Sequence, residues 1–198
     1  MPIRLVLASQ SPARLATLRS AGVEPEVMVS GFDESTIDES DPARLAATLA
    51  THKARVVASR VDADAVVVGC DSVLDLDGEV HGKPRDADDA RGRLRRMRGW
   101  SGILHTGHCV IRGDRELVRD AATTVHFGDF DDALIDAYVA TGEPLNVAGS
   151  FTIDGLGGPF IEGVEGDPHN VVGLSLPTLR HMLAEFGIEW QQLWTAQR

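Results

Sequence analysis

Apolar residues come in short blocks along this chain, and glycine, proline or an acid marks each change of period. "RLVLAS" (4–9) reads as a short buried strand. Ser11-Pro12 opens a helix, with Ser11 as N-cap and Pro12 at the first helical position. That helix runs to about Ala21, and Gly22 stops it. "PEVMVS" (25–30) reads as a second strand. Asp41-Pro42 opens a longer helix to about Arg60, with Leu45, Leu49, Val56 and Val57 on its inner side. "AVVVGCDSVLDLDGEVHGKPRD" (65–86) then reads as a strand, an Asp77-Gly78 hairpin turn and a short return strand.

Asp86 or Asp88 caps a helix that turns Ala90, Leu94 and Met97 inward and ends at Gly99. A second hairpin is expected around Gly113-Asp114. "DALIDAYVATG" is a helix stopped by Gly142. Residues 145–173 are rich in glycine, with strands expected at Phe151 to Ile153 and Phe160 to Val164. Pro177 begins the last helix, which runs to about Phe186. Strands and helices are interspersed and hairpins are frequent, so the pattern predicts an α/β fold with a mixed sheet.

One position breaks the apolar pattern. Asp71 sits inside a run that otherwise reads as a buried strand. A carboxylate there is costly unless it is paired or bound to a metal. Counting outward from the Asp77-Gly78 turn pairs Ser72 with Lys83, so Lys83 falls near Asp71. In an ideal ladder the two face opposite sides of the sheet. A bulge or a strand end at Gly82 would bring them together. The spacing alone leaves an ordinary salt bridge at a sheet margin equally open.

Two further cations stand out. Arg14 lies in the first turn of its helix, where it opposes the helix dipole. An anion docked on the free N–H groups would reverse that sign, and phosphate is the usual ligand. A solvent-facing side chain, or a surface ion pair, is the alternative. Lys53 borders the apolar stripe of the second helix, where its stem can cover the core edge while the ammonium reaches outward.

Three other clusters read as structural. Cys70 beside Asp71, with His81 as base, is a formal thiol nucleophile, but a small buried hydrophobe in a strand fits it better. His105 and His108 fall on opposite faces of a strand, which rejects a metal pair. Arg91, Arg93, Arg95, Arg96 and Arg98 have no interleaved aromatics and read as a solvated helix face.

Composition narrows the function classes. The chain has 198 residues, 43% hydrophobic and 25% charged, which suits one soluble domain, two lobes around a cleft being compatible. Its formal net charge of −11 repels nucleic acid and anionic membranes. Basic residues converging on one spot must therefore build a positive site against the global field. The two cysteines fit a reducing compartment. The N-terminal apolar run is too short for a signal peptide, so a cytoplasmic protein is expected.

Taken in order, a series of motifs resembles the Maf family of nucleotide pyrophosphatases. Ser9-Gln10-Ser11-Pro12-Ala13-Arg14 resembles its opening Ser-x-Ser-Pro-Arg-Arg. Asp33-Glu34 resembles its acidic pair, and Leu49-Ala50-Thr51-His52-Lys53-Ala54 its Leu-Ala-x-x-Lys-Ala helix. Gly69-Cys70-Asp71-Ser72 matches its Gly-x-Asp strand, and Gly82-Lys83-Pro84 its Gly-Lys-Pro. "TGEPLNVAGSF" and "EGDPHNVVGLSLPTL" complete the set.

The resemblance implies an elongated mixed sheet flanked by helices around a cleft, similar to the inosine triphosphate pyrophosphatases. It implies hydrolysis of a nucleoside triphosphate to the monophosphate and pyrophosphate, with a divalent cation (Mg or Mn). It also implies a homodimer and a link to cell-division arrest. By similarity Asp71 is the proton acceptor for water or holds the metal, and Glu34 shares that metal. Ser9, Arg14, Lys53 and Lys83 then meet the triphosphate, with Lys83 also serving the chemistry. The rival reading is a nucleotide-binding regulator of division with little turnover. The chain departs from its family at Ala13, Ser72 and Asp154, the positions the family associates with base choice.

Overall fold

The computed structural model describes residues 3–194. Its sheet has seven strands, and six of them lie in the order β2-β1-β3-β5-β6-β7. They are β1 (Leu5–Leu7), β2 (Glu26–Val27), β3 (Val66–Leu76), β5 (Ser101–Arg112), β6 (Arg115–Phe127) and β7 (Ile161–Glu165); β4 (Glu79–His81) pairs with β3 alone. β1 is parallel to β2 and to β3, whereas the pairs β3–β5, β5–β6 and β6–β7 are antiparallel. The sheet is therefore mixed, as the interleaved pattern predicts. Among the described residues no helix is long and apolar enough to cross a membrane.

Six α-helices cover the sheet: α1 (Pro12–Ser20), α2 (Pro42–Ala58), α3 (Ala87–Met97), α4 (Asp132–Ala140), α5 (Pro168–Val172) and α6 (Leu176–Glu185). The expected caps are in place. Ser11, Asp41 and Asp86 each accept a backbone N–H at the start of α1 to α3, and Pro12 and Pro42 open the first turns of α1 and α2; Asp131 caps α4 in the same way, which the sequence reading did not name. Each such cap contributes about 1 kcal/mol. The Asp77-Gly78 turn has positive φ at both residues, 56° and 79°, the backbone of a type I′ hairpin.

α2 lies on one face of the sheet, and it does so through small residues. Ala46, Ala50 and Ala54 are fully buried, whereas Leu45 and Val56 are only half-buried. The expected leucine and valine stripe is thus partly replaced by an alanine stripe. The reason is close approach. A Cβ on Gly69 would stand 2.4 Å from the Ala50 carbonyl oxygen, and one on Gly107 would stand 2.3 Å from that of Ala46. On the other face Val66, Val68 and Cys70 pack against Leu179, Met182 and Leu183 of α6. Beyond Leu74 a second apolar cluster joins α3 and α4 through Leu94, Met97, Ile135 and Tyr138.

Three expectations need correction. "PEVMVS" pairs only at Glu26–Val27. Phe151 to Ile153 form no strand. Phe151 is buried because its ring packs edge-on against Phe127, with centroids 5.0 Å apart. The glycine-rich stretch 145–173 holds the short helix α5, which the pattern did not announce.

Candidate active site

The site begins with a missing neighbour in the sheet. One edge of β3 is lined along its length by β5, from Val67 opposite Ile111 to Asp75 opposite Ile103. Its other edge is shared by two short strands. β1 covers Val66 to Val68, ending with the Ala8 N–H on the Val68 carbonyl at 2.8 Å. β4 covers Leu74 to Leu76. Between them the edge is open from Gly69 to Val73, and Asp71 is at its centre. Strand alternation turns Asp71 towards α2 and Ser72 towards α1. The site is thus built at the gap, with side chains reaching it from both faces.

Asp71 is 8% exposed. Its carboxylate is paired with the Lys53 ammonium, which α2 sends over the Gly69 crossing. The same ammonium lies 2.7 Å from the Glu34 carboxylate. Lys53 therefore joins two acids that are far apart in sequence. Glu34 begins the 3-10 turn Glu34–Thr36, capped by Asp33. The segment before it is fastened once to α2 and once to the turn that follows that helix. Phe32 stacks on His52 with ring centroids 4.7 Å apart, and Arg60 holds the Ser30 carbonyl at 3.1 Å.

Two carboxylates sharing one cation suit a divalent metal of the magnesium type. Such an ion is commonly held by one or two carboxylates plus substrate phosphates, and keeps waters besides. No group of three or more His, Cys, Asp and Glu stands ready to hold a metal alone among the described residues. Glu34 and Asp71 fit an ion that arrives with its substrate.

Arg14 resolves the puzzle of a cation in a first helical turn. Its guanidinium folds back across the β3 gap. Nε donates to the Gly173 carbonyl at 2.7 Å, Nη1 to the Ser9 hydroxyl at 3.2 Å and Nη2 to the Ser72 hydroxyl at 3.0 Å. All three acceptors are neutral. Among the described residues Arg14 has no carboxylate partner, so its charge remains available to an anion. Ser9 is 6% exposed, and its hydroxyl also accepts the Ser11 N–H at 3.1 Å. From Ser72 a polar chain continues to the Thr106 hydroxyl at 2.9 Å, and from there to the Asn170 carbonyl at 3.1 Å. Asn170, wholly buried, uses its amide to hold the Leu104 and Ala121 carbonyls at 3.0 and 2.9 Å.

Lys83 lies in the loop between β4 and α3. The ladder stops at His81, opposite Leu74, so the strand end needed to free Lys83 from its register is present. The side chain is exposed and makes no ion pair among the described residues; no contact joins it to Asp71. Ala13 is half-buried in the first turn of α1, and Asp154 is exposed at the turn before Gly155. The loop carrying Asp154 is organised by Glu143, whose carboxylate accepts from the Thr152 hydroxyl at 2.5 Å, the Tyr138 hydroxyl at 3.0 Å, and the Leu156 and Gly157 N–H groups at 3.1 Å. Burial pushes this carboxyl up, but those donors outweigh it and hold it below the usual range.

The remaining candidates have structural roles. Cys70 and Cys109 are fully buried, and burial pushes both thiols up to about 12, far from a reactive thiolate. His105 pairs with Asp120 at 3.0 Å, while His108 accepts the Ser175 N–H at 2.9 Å. The arginine run needs a correction. Arg95 and Arg96 are about half exposed and pair with surface acids, but the Arg93 side chain is only 13% exposed. It turns from the helix towards the Lys83 loop. Arg93, Glu143, Thr106 and Asn170 are the site-supporting residues that sequence reasoning missed. Glu143 and Asn170 lay inside the two late stretches quoted for the family, Arg93 was read as part of a solvated run, and Thr106 had no signal.

Comparison with known proteins identifies the family. The family model described as "Maf-like protein" matches residues 4–186. A Streptomyces avermitilis protein named nucleoside triphosphate pyrophosphatase is 56% identical over 195 residues, covering 97% of this chain and 95% of that protein. Proteins of the same name from Salinispora tropica and Streptomyces coelicolor are 54% and 55% identical, covering 98% and 96% of this chain and 89% and 94% of theirs. The matched span runs from the first residues of β1 to the end of α6, and so takes in every element that brings a side chain to the β3 gap: the chain belongs to the Maf family.

Proposed function

We infer that this chain hydrolyses a nucleoside triphosphate to the nucleoside monophosphate and pyrophosphate. One observation carries the reading. A buried strand opens its edge to expose a single carboxylate, Asp71, and three cations from separate elements, Arg14, Lys53 and Lys83, stand around or beside that opening. In a protein of charge −11 a polyphosphate supplies a reason to gather them.

Each residue then has a task. Asp71 accepts the proton of the attacking water, so that water oxygen bonds to the α-phosphorus as the bond to the leaving pyrophosphate breaks. Arg14 binds the polyphosphate oxygens with the guanidinium N–H groups that Gly173, Ser9 and Ser72 leave free. Lys53 moves from the two carboxylates to the phosphates when substrate enters. Lys83 neutralises charge on the leaving pyrophosphate. Ser9 and Ser72 hold the Arg14 guanidinium in plane. A divalent cation on Glu34 and Asp71 would supply charge neutralisation at the phosphates when bound. The same family reading makes the enzyme a cytoplasmic homodimer.

Base choice belongs to the same reading. An ionised Asp offers only acceptors, whereas Gln offers a donor and an acceptor. If Asp154 lines the base subsite, it favours an edge with two adjacent donors, such as N1–H and the amino group of guanine, over uracil or thymine.

The test is pyrophosphate release over a nucleotide panel with Mg²⁺ and Mn²⁺. Metal-dependent turnover supports the enzyme, while binding without turnover supports a regulator. The panel is expected to favour guanine or modified bases, with that preference relaxed in Asp154→Gln. A tenfold or greater preference for dTTP and UTP, unchanged in Asp154→Gln, defeats the base assignment but not the reaction.

A further inference from the structure

The Lys83 side chain makes no ion pair among the described residues, yet the backbone on either side of it is held firmly. Arg93 Nη1 donates to the Gly82 carbonyl at 2.6 Å, and its Nη2 to the Lys83 carbonyl at 3.4 Å. The Gly149 N–H reaches the same Gly82 carbonyl at 3.1 Å. Asp89 takes the Arg85 N–H at 2.9 Å and pairs with Arg93 at 2.8 Å. One i,i+4 pair on α3 therefore grips the loop before and after Lys83, through two carbonyls and one N–H.

This pair differs from its neighbours on the helix. Arg93 and Asp89 side chains are 13% and 16% exposed, against 48% for Arg95 and 47% for Arg96. An exposed pair of this spacing contributes little, and many contribute nothing measurable. Here the pair is largely sheltered, and its hydrogen bonds end on loop backbone. The N–H of Arg85, and then Arg93, hold the Asp89 carboxyl down at about 2, so it is ionised wherever the enzyme would work.

We propose that the Arg93–Asp89 pair is a positioning device for Lys83, fixing the loop backbone so that the ammonium meets the polyphosphate above Asp71. The proposal rests on the reading that Lys83 meets substrate. The ammonium of a lysine with no side-chain partner is aimed only by the backbone from which it springs. Misplacing a catalytic cation by about 1 Å can cost on the order of 100-fold in rate. Arg93 and Asp89 themselves act through Lys83, as positioning residues.

A double-mutant cycle tests it: kcat/KM on the best triphosphate for wild type, Arg93→Met, Lys83→Met and the double variant, with thermal unfolding of each. Arg93→Met is expected to lower kcat/KM about 10-fold or more in the wild-type background and less than twofold in the Lys83→Met background. Equal losses in both backgrounds overturn the clamp, since a general structural defect would be additive. Should Arg93→Met fail to fold, Asp89→Asn takes its place in the same cycle. It keeps an acceptor for the Arg85 N–H but lacks the ion pair. The same non-additivity is expected, and its absence overturns the clamp. A Lys83→Met enzyme as active as wild type overturns the assignment of Lys83 itself, and the clamp with it. A slow Lys83→Met enzyme with an additive Arg93→Met loss removes the clamp alone.

Discussion

Asp71 has one neighbour that neutralises it and an open strand edge beside it. Asp71→Asn keeps the shape and takes away the charge. Turnover is expected to fall at least about 100-fold, the usual worth of a general base, while nucleotide affinity, measured by calorimetry without a divalent cation, changes little. A variant that keeps most of its activity refutes the role. The residue scale is also where the sequence spoke most clearly. Asp71 was visible because a carboxylate inside an apolar strand has no cheap structural reason. Arg14 stood out as a cation in a first helical turn and Lys53 as one bordering an apolar stripe, whereas Glu34 became visible only through a family motif. Arg93 was read as one of a solvated run and Glu143 lay in a quoted family stretch, but the role of neither was visible. Each holds backbone groups of a loop, Arg93 that of Lys83 and Glu143 that of Asp154, and no side-chain pattern marks a carbonyl as the partner.

At the scale of elements, the seating of α2 on β3 sets the distance from Lys53 to Asp71. That seating depends on Gly69, two residues before Asp71. Adding a methyl there brings it 2.4 Å from the Ala50 oxygen and 2.9 Å from the Ala54 Cβ, and neither can yield without moving the helix. Gly69→Ala is expected to lose about 1–3 kcal/mol of stability and, with Lys53 displaced, to lose activity beyond what the unfolded fraction explains. Gly92, exposed inside α3 with nothing within 4 Å of an added Cβ, is the contrast. Gly92→Ala is expected to gain up to about 1 kcal/mol with activity unchanged. Urea unfolding and kcat/KM measure both, and matching signs for the two variants would refute the seating argument. Caps, hairpin turns and most strand positions were legible because each rests on local chemistry. The alanine face of α2 was not, since it answers to two glycines on other strands. The false strand at Phe151 to Ile153 fails for a related reason: an apolar residue packed by an aromatic neighbour reads the same as one in a ladder.

At the scale of the whole molecule, pH sets stability through groups that fold away from water. His108 is fully buried. Burial, and then the nearby Arg14 charge, pushes its pKa down from 6.5 to about 4. A base depressed on folding takes up its proton more readily in the unfolded chain. Stability is therefore complete above about pH 6.5 and is lost as pH falls towards 4, by up to about 3 kcal/mol. His81 is shifted in the same direction by burial and Arg93. His105 is raised by its Asp120 hydrogen bond and opposes them, since its contribution is present below 6.5 and lost as pH rises. Asp89, held down to about 2, acts only below its unfolded value of 3.8, so acid loss between pH 6.5 and 4 belongs mainly to the histidines. His108→Gln separates them, because the Gln carbonyl can still accept the Ser175 N–H that His108 Nε2 now receives, and it does not titrate. Calorimetric melting at pH 7.5 and pH 5 is expected to show a fall of roughly 4–8 °C in the wild type, and a fall no more than about half as large in His108→Gln. Equal falls in the two proteins would mean that His108 is not the group that acid must charge, and that the first acid-sensitive contact lies outside the Arg14 side of the sheet.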